Sequence, residues 1–304
     1  MAVFVSGATG YIGGAIIRAY IRANIPVFGG TRSNTALPER VMPCVTGDLA
    51  AGSFALPRVD TVIHAAGLGH RRGVAPSVWQ RANVDAAANL AKAAKSVGAK
   101  KFVLISTAHV HGRVAAGVVD DTSPPNPMES YAASKLAAEA AVRAEFGDCV
   151  TIIRPTAVIG PNCPGNLQLL MKCLAKGIPL PFAGIVNSRS FIHVDDLARL
   201  VLLAAGADSP ALLLAAHPES ISTPGLVRAL GRGMNVTPRL FSLPGAALNL
   251  AATLLGRGAM WQSLSGSFVA DPRAALQLGW QPAHSLAESL TQTGWYYDTT
   301  RPNA

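Results

Sequence analysis

Cysteine is scarce in this sequence, and Cys44, Cys149, Cys163 and Cys173 form no CxxC pair. That spacing excludes a disulfide scaffold and a zinc ribbon, and it predicts reduced thiols in a cytoplasmic protein. Metal ligands are sparse as well. His109 and His111 flank Val110 at what reads as a strand end, which does not make a metal site, so no metal is expected. Long apolar runs are missing too. The longest, "LPGAALNLAATLLG" (243–256), contains Pro, Asn and Gly and falls short of the about 20 residues that span a bilayer. It reads as a buried or interfacial helix, and no integral membrane span is expected. Met1 leads into "AVFVSG" with no basic segment, so no secretory signal is expected.

Aromatic residues make up only 6% of the chain, Lys and Arg are dispersed, and no recognised nucleic-acid motif occurs. No nucleic-acid partner is expected. Charged residues are few, yet the net charge is +9. Two readings stay open: a basic solvated surface, or attraction for polyanions such as nucleotide cofactors, nucleotide sugars or an anionic membrane surface. The 304 residues allow a sizeable core and two domains, or one domain with a large elaboration.

What is present is an alternation. "AVFVSG" (2–7), "IPVFGG" (25–30), "TVIHAAG" (61–67), "KKFVLIST" (100–107) and "VTIIRP" (150–155) read as short buried strands. Between them lie helical patterns at 11–24, from about Trp79 to Gly98, and at 130–147. Strands alternating with helices predict an α/β fold of Rossmann type, a doubly wound parallel sheet covered on both faces. After Pro155 the alternation becomes irregular. The expected division is a dinucleotide-binding domain over 1–155 and a smaller mixed α/β substrate lobe over 156–304, with about 187–205 returning to the first layer.

Gly7, Gly10 and Gly13 fall between the first strand and the first helix. Glycine there permits a tight turn, close approach of a pyrophosphate and tight helix–strand packing, and the helix N-terminus offers N–H groups to the anion. The spacing is GxxGxxG. "GDL" (47–49) places Asp48 where an adenine ring could lie, and "HAAG" (64–67) supplies small residues at a strand's carboxyl end, where open α/β sheets bind ligands.

Tyr131 and Lys135 stand four apart on a helix and so share a face. A nearby ammonium favours the phenolate and lowers the phenol pKa from its ordinary value of about 10. Tyr131 could then exchange a proton with a sugar hydroxyl or ketone while hydride moves at the same carbon. Ser106 or Thr107, closing the preceding strand, could bond the same oxygen.

The ordered set "GATGYIG", "GDL", "VIHAAG", Asn83-Val84, "IST", "YAASK", "RP" and "RSFIHVDDLA" resembles the extended short-chain dehydrogenase/reductases, specifically the NAD(P)-dependent nucleotide-sugar epimerase/dehydratase branch. The resemblance covers nearly the whole chain. It implies that Gly7, Gly10, Tyr11, Ile12 and Gly13 line the pyrophosphate, Asp48 and Leu49 flank adenine, and Ala65, Ala66 and Gly67 lie along the ribose. Pro155 would meet the nicotinamide, and Asn83 would anchor the cofactor or its helix. Thr107, Tyr131 and Lys135 match the catalytic positions. Arg189 matches an arginine on the sugar-nucleotide diphosphate, where a guanidinium suits bidentate binding, and Asn166 is a weaker candidate there. His193 and Asp195 read as structural, and His111 as packing.

Two departures narrow the function. The second strand should end in a carboxylate for the ribose 2′-hydroxyl of NAD. Here Thr31 and Arg32 stand instead, and Arg32 suits a 2′-phosphate, so NADP is expected ahead of NAD. "STAHVHG" (106–112) lacks the carboxylate that family dehydratases carry, so dehydration is not expected. The C-terminal 267–297 resembles members acting on 4-keto-6-deoxy or N-acetyl sugar nucleotides. The expected activity is a nucleotide-sugar 4-ketoreductase using NADPH, with a nucleotide-sugar 4-epimerase as the alternative. The expected partners are a nucleotide sugar and, as an option, a second copy in a homodimer. A non-catalytic NADP-binding sensor is the reading of another class, but such relatives usually lose Tyr or Lys, and both are present.

Overall fold

A computed structural model describes residues 1–69, 73–206, 209–254, 256 and 258–300. The first half runs β1 (Val3–Ser6), α1 (Tyr11–Arg22), β2 (Val27–Thr31), β3 (Val41–Val45), β4 (Thr61–His64), α2 (Pro76–Trp79), α3 (Ala86–Ser96), β5 (Lys101–Ile105), β6 (Val118–Val119), α4 (Ser130–Phe146) and β7 (Val150–Pro155). The second half continues with β8 (Ala157–Ile159), α5 (Asn166–Ala175), β9 (Arg189–His193), α6 (Val194–Ala204), β10 (Leu212–Ala215), β11 (Ser220–Ile221) and α7 (Thr223–Gly233). It closes with α8 (Gly245–Leu254), α9 (Gly258–Ser265), β12 (Val269–Ala270), α10 (Arg273–Gln277) and α11 (Leu286–Thr300).

Seven strands form one parallel sheet in the order β10-β7-β5-β4-β1-β2-β3. Its central strands are apolar at nearly every position because both faces are covered. Val3 and Val5 of β1 enter a core shared with Ile16 and Ile17 of α1 and Leu197 and Val201 of α6. Phe4 points the other way, into a core with Leu90 of α3 and Ala138 and Val142 of α4. This is the expected Rossmann-type sheet. The chain builds outward from β1 through β2 to β3, then returns to the other side with β4. The order therefore reverses between β1 and β4, and a crevice opens at their carboxyl ends.

A smaller mixed unit follows. β9 pairs in parallel with β8 and antiparallel with β11, and β12 pairs with β6. Its core joins Leu170 and Leu174 of α5, Leu226 and Leu230 of α7, and Leu286 and Leu290 of α11. Two later elements, α6 and β10, belong to the large sheet and its cover.

Two local features differ from the sequence expectation. The strand β3, "VMPCV", was not expected, because Pro43 and exposed Met42 and Val45 interrupt its pattern. The helix expected from Trp79 onward is interrupted by a π turn at Gln80–Asp85. Among the described residues, no helix is long and apolar enough to cross a membrane.

Candidate active site

The turn from β1 into α1 is shaped by crowding. Gly7 has φ +68°, and a Cβ there would lie 2.8 Å from the Ala66 amide nitrogen. A Cβ on Gly13 would sit 2.0 Å from the Gly7 carbonyl oxygen, and one on Gly10 would sit 3.1 Å from it. Only glycine lets the turn, the α1 N-terminus and the loop after β4 approach this closely. Helix α1 starts at Tyr11 with no side-chain cap and no acidic residue in its first turn. Its positive end therefore faces the crevice without an internal anion.

The loop after β4 is tied to β1 by polar contacts. The Ala66 amide donates to Ser6 Oγ at 3.2 Å, and Ser6 Oγ lies 2.7 Å from His64 Nδ1. Complete burial pushes His64 down to about 3, helped by the Lys135 charge, so the ring is neutral at physiological pH. Ala65, Ala66 and Gly67 thus line the crevice opposite Gly7.

The π turn carries Asn83 into the same place. Its Oδ1 accepts from the Leu68 amide at 2.8 Å, while Nδ2 donates to the Leu68 carbonyl at 3.3 Å and to Ser134 Oγ at 2.9 Å. Ser134 Oγ in turn donates to the Tyr131 carbonyl at 2.8 Å. One buried amide therefore joins the crevice loop to α4. Such π turns occur frequently at functional sites.

Tyr131, in the first turn of α4, shares a hydrogen bond with the Thr107 side chain. The Trp79 ring packs on it at 5.8 Å between centroids. Lys135, one turn on, is buried and donates from Nζ to the Ile105 carbonyl at 2.6 Å. Desolvation pushes this lysine down to about 8, opposed by the Glu139 charge. The expectation that Lys135 depresses the Tyr131 pKa is corrected here. Burial raises the phenol, and only the Thr107 bond pulls it back. The reason is local: the Lys135 charge is turned onto a backbone carbonyl.

Beneath this set lies a buried network that the sequence reading missed. Glu139 accepts from Ser106 Oγ and, bidentately, from Arg154 Nε at 3.0 Å and Nη2 at 2.6 Å. Arg154 Nη1 lies 2.9 Å from Nε2 of His111, so that histidine packs as expected. The available signal was Glu139 on the Lys135 face, four residues on, and Arg154 just before Pro155. Pro155 ends β7 and is buried.

The remaining residues spread outward. Arg32 is exposed just past β2. Asp48 accepts from Arg81 Nη2 at 2.6 Å and from the Ala50 amide at 3.1 Å; these bonds, with the charges of Arg81 and Arg32, hold its carboxyl below the usual range. Leu49 beside it is buried. On the smaller unit, Arg189 is buried at the start of β9. Its Nη1 donates to the carbonyls of Gly266 at 2.9 Å and Arg113 at 3.5 Å, and it pairs with no carboxylate among the described residues. Burial, then the neighbouring Arg113, pushes it down to about 10. Arg113 is itself paired with Glu129 and donates to Ser263 Oγ at 2.7 Å. Asn166 stands exposed at the first position of α5 and bonds to none of these residues.

Glycine crowding at the switch point of a parallel sheet, next to a Thr–Tyr–Lys set, is the architecture in which open α/β sheets hold a dinucleotide. The chain belongs to the NAD dependent epimerase/dehydratase family, whose model matches residues 3–212. It is an NAD(P)-dependent enzyme of the extended short-chain dehydrogenase/reductase class. It is 28% identical to the UDP-glucose 4-epimerase of Vibrio cholerae, over 96% of this chain and 94% of that protein. A solved structure of MoeE5 in complex with UDP-glucose and NAD superposes with a TM-score of 0.77 at 25% identity, covering 99% of each chain. The UDP-glucose 4-epimerase of Thermus thermophilus, solved as a complex with NAD, shares the fold, with a TM-score of 0.79 at 22% identity over 99% of this chain and 100% of that one.

Proposed function

We propose that the protein interconverts nucleotide sugars by oxidation and reduction at C4, as a 4-epimerase. The observation that carries this reading is the Thr107–Tyr131–Lys135 set facing the glycine crevice, with the buried, carboxylate-free Arg189 on the opposing unit. The likeness to a UDP-glucose 4-epimerase over nearly the whole chain supports it.

The crevice fits the cofactor, since its glycines leave a cradle that any Cβ would fill. Gly7, Gly10, Tyr11, Ile12 and Gly13 would hold the pyrophosphate, Asp48 and Leu49 would flank adenine, and Ala65, Ala66 and Gly67 would line the ribose. Asn83 would fix the loop beneath, and Pro155 would back the nicotinamide, which would supply hydride acceptor and donor chemistry at C4. Tyr131 takes the C4 hydroxyl proton and gives it back, while Thr107 orients that oxygen. Lys135, its ammonium on the Ile105 carbonyl beside Gly67, would with Tyr131 also hold the cofactor. Arg189 holds the diphosphate of the sugar nucleotide, with Asn166 at the margin. Residues 1–155 would bind the cofactor and 156–304 mainly the substrate, with α6 and β10 returning to the large sheet while β9 and its Arg189 stay with the smaller unit.

A 4-ketoreductase using NADPH is the second reading, favoured by one observation: Arg32 and no carboxylate follow β2. One experiment separates them. Purified protein is incubated with UDP-glucose and no added cofactor, and in parallel with a 4-keto-6-deoxy nucleotide sugar and NADPH. Appearance of the galacto product in the first vessel establishes the epimerase. Stoichiometric NADPH oxidation in the second, with no galacto product in the first, replaces it with the reductase.

A further inference from the structure

Within the segment 243–256, expected as a buried or interfacial helix, Gly245–Leu254 forms α8, and none of its described side chains is buried. Leu250 is 63% and Leu254 78% exposed, and the helix carries no charged side chain. A surface helix of a water-soluble domain ordinarily sets a polar face to solvent. This one offers Asn249 and Thr253 alone, and the Thr253 hydroxyl is turned back onto the Asn249 carbonyl.

The apolar surface continues beyond the helix. The strand-like segment leading into α8 lies beside residues 180–183: the Leu180 amide donates to the Arg239 carbonyl, and the Ala183 amide to the Phe241 carbonyl. Phe241 and Leu243 on one of these segments, and Ile178 at the start of the other, are exposed. Contiguous apolar exposure of this kind marks an interaction site.

Charge identifies what covers it. No Asp or Glu occurs between Ser220 and Ala270, nor between Cys149 and Val194. The cations there include Lys172 and Lys176 at the end of α5 and Arg239 beside Leu180, all exposed. No ion pair among the described residues engages these three. A second copy docked face to face would oppose these cations with the same cations. An anionic lipid surface would neutralise them while taking up the leucines.

We propose that α8 and its basic surround seat the protein on an anionic phospholipid membrane, peripherally, with the α8 leucines in the headgroup–acyl boundary. The contact borders the active site. Helix α9 packs against α8 and carries Ser263, which accepts from Arg113. Arg113 holds Glu129, the residue that precedes α4 and Tyr131.

The test is co-sedimentation of the full chain with vesicles of phosphatidylcholine alone and of phosphatidylcholine mixed with phosphatidylglycerol. Wild type is expected to sediment with the anionic vesicles and to be released by salt. The L250D/L254D variant should stay in solution, with unchanged circular dichroism and melting because both positions are exposed. In K176Q/R239Q the affinity should fall about fivefold for each cation removed. Failure of wild type to bind either vesicle, equal binding to both, or undiminished binding by L250D/L254D would each overturn the proposal. So would a wild-type dimer that L250D/L254D dissociates in the absence of vesicle binding, which would assign the face to a second copy.

Discussion

The Trp79 indole lies against the Tyr131 ring, with centroids 5.8 Å apart and planes tilted by 60°. The ring is therefore placed by packing, and the hydroxyl is left to meet Thr107. Tyr131→Phe should keep the packing and the melting temperature but remove the proton-transfer group. Turnover should fall by about 10²- to 10⁴-fold. Activity within about threefold of wild type, below that range, would remove Tyr131 from the mechanism.

Gly13 and Gly14 are neighbours with opposite expectations. A Cβ at Gly13 meets backbone, the Gly7 oxygen at 2.0 Å and carbon at 2.8 Å, so no rotamer relieves it. A Cβ at Gly14 finds the Ala8 oxygen at 3.5 Å, an ordinary contact. Gly13→Ala should destabilise the fold by about 1–3 kcal/mol and weaken cofactor binding. Gly14→Ala should be neutral or stabilising by up to about 1 kcal/mol, through helix propensity. Thermal melts and cofactor fluorescence titrations distinguish the pair. Equal behaviour would remove crowding as the reason for the motif.

The strands of the large sheet were legible because burial on both faces writes them as unbroken apolar runs. The edge strand β3 was not, since one-sided exposure admits Met42, Pro43 and Val45. Asn83 was legible through the family resemblance. The π turn that aims it was not, because one extra residue in a helical turn leaves the sequence pattern unchanged. Tyr131, Lys135 and Thr107 were legible as residue types at a spacing. The direction of the Tyr131 shift depends on where the Lys135 ammonium points, which spacing does not encode. The Glu139–Arg154 pair joins a helix to a strand 15 positions away and becomes visible only once α4 lies on the sheet.

His64 makes the crevice acid-sensitive. Its folded pKa is depressed to about 3, against about 6.5 in an unfolded chain. Its contribution to stability is therefore complete above about 6.5 and is lost as pH falls from there toward about 3, because the unfolded state takes up the proton first. At pH 5 this amounts to about 2 kcal/mol. His64→Asn, which retains a polar atom for Ser6, should lose less stability between pH 7 and pH 5 than wild type in denaturant titrations. Identical pH slopes would show that another group governs the acid limb.

Arg32 governs cofactor choice if its guanidinium meets a 2′-phosphate. Arg32→Ala should weaken NADPH by about tenfold or more, the worth of a charge-assisted hydrogen bond, and leave NADH nearly unchanged. Titration of both cofactors against both proteins measures it. Equal losses would return NAD to first place.

Arg189 is a buried cation whose acceptors are two backbone carbonyls. Holding such a charge without a carboxylate is unfavourable, and its depressed pKa reports the desolvation. A residue kept for structure alone would lower stability when removed, whereas one kept for an absent anion would not. Arg189→Met should therefore leave the melting temperature unchanged or raise it. The same change should raise the KM for the nucleotide sugar by about ten- to a hundredfold, the loss of one charged hydrogen bond or more. Because the diphosphate is remote from C4, its contacts are the same in ground and transition states, so kcat should move far less than KM. Cofactor affinity should not move at all. A variant that melts lower while its KM stays at the wild-type value would mark Arg189 as a strut for the Gly266 and Arg113 carbonyls, and the diphosphate would need another partner.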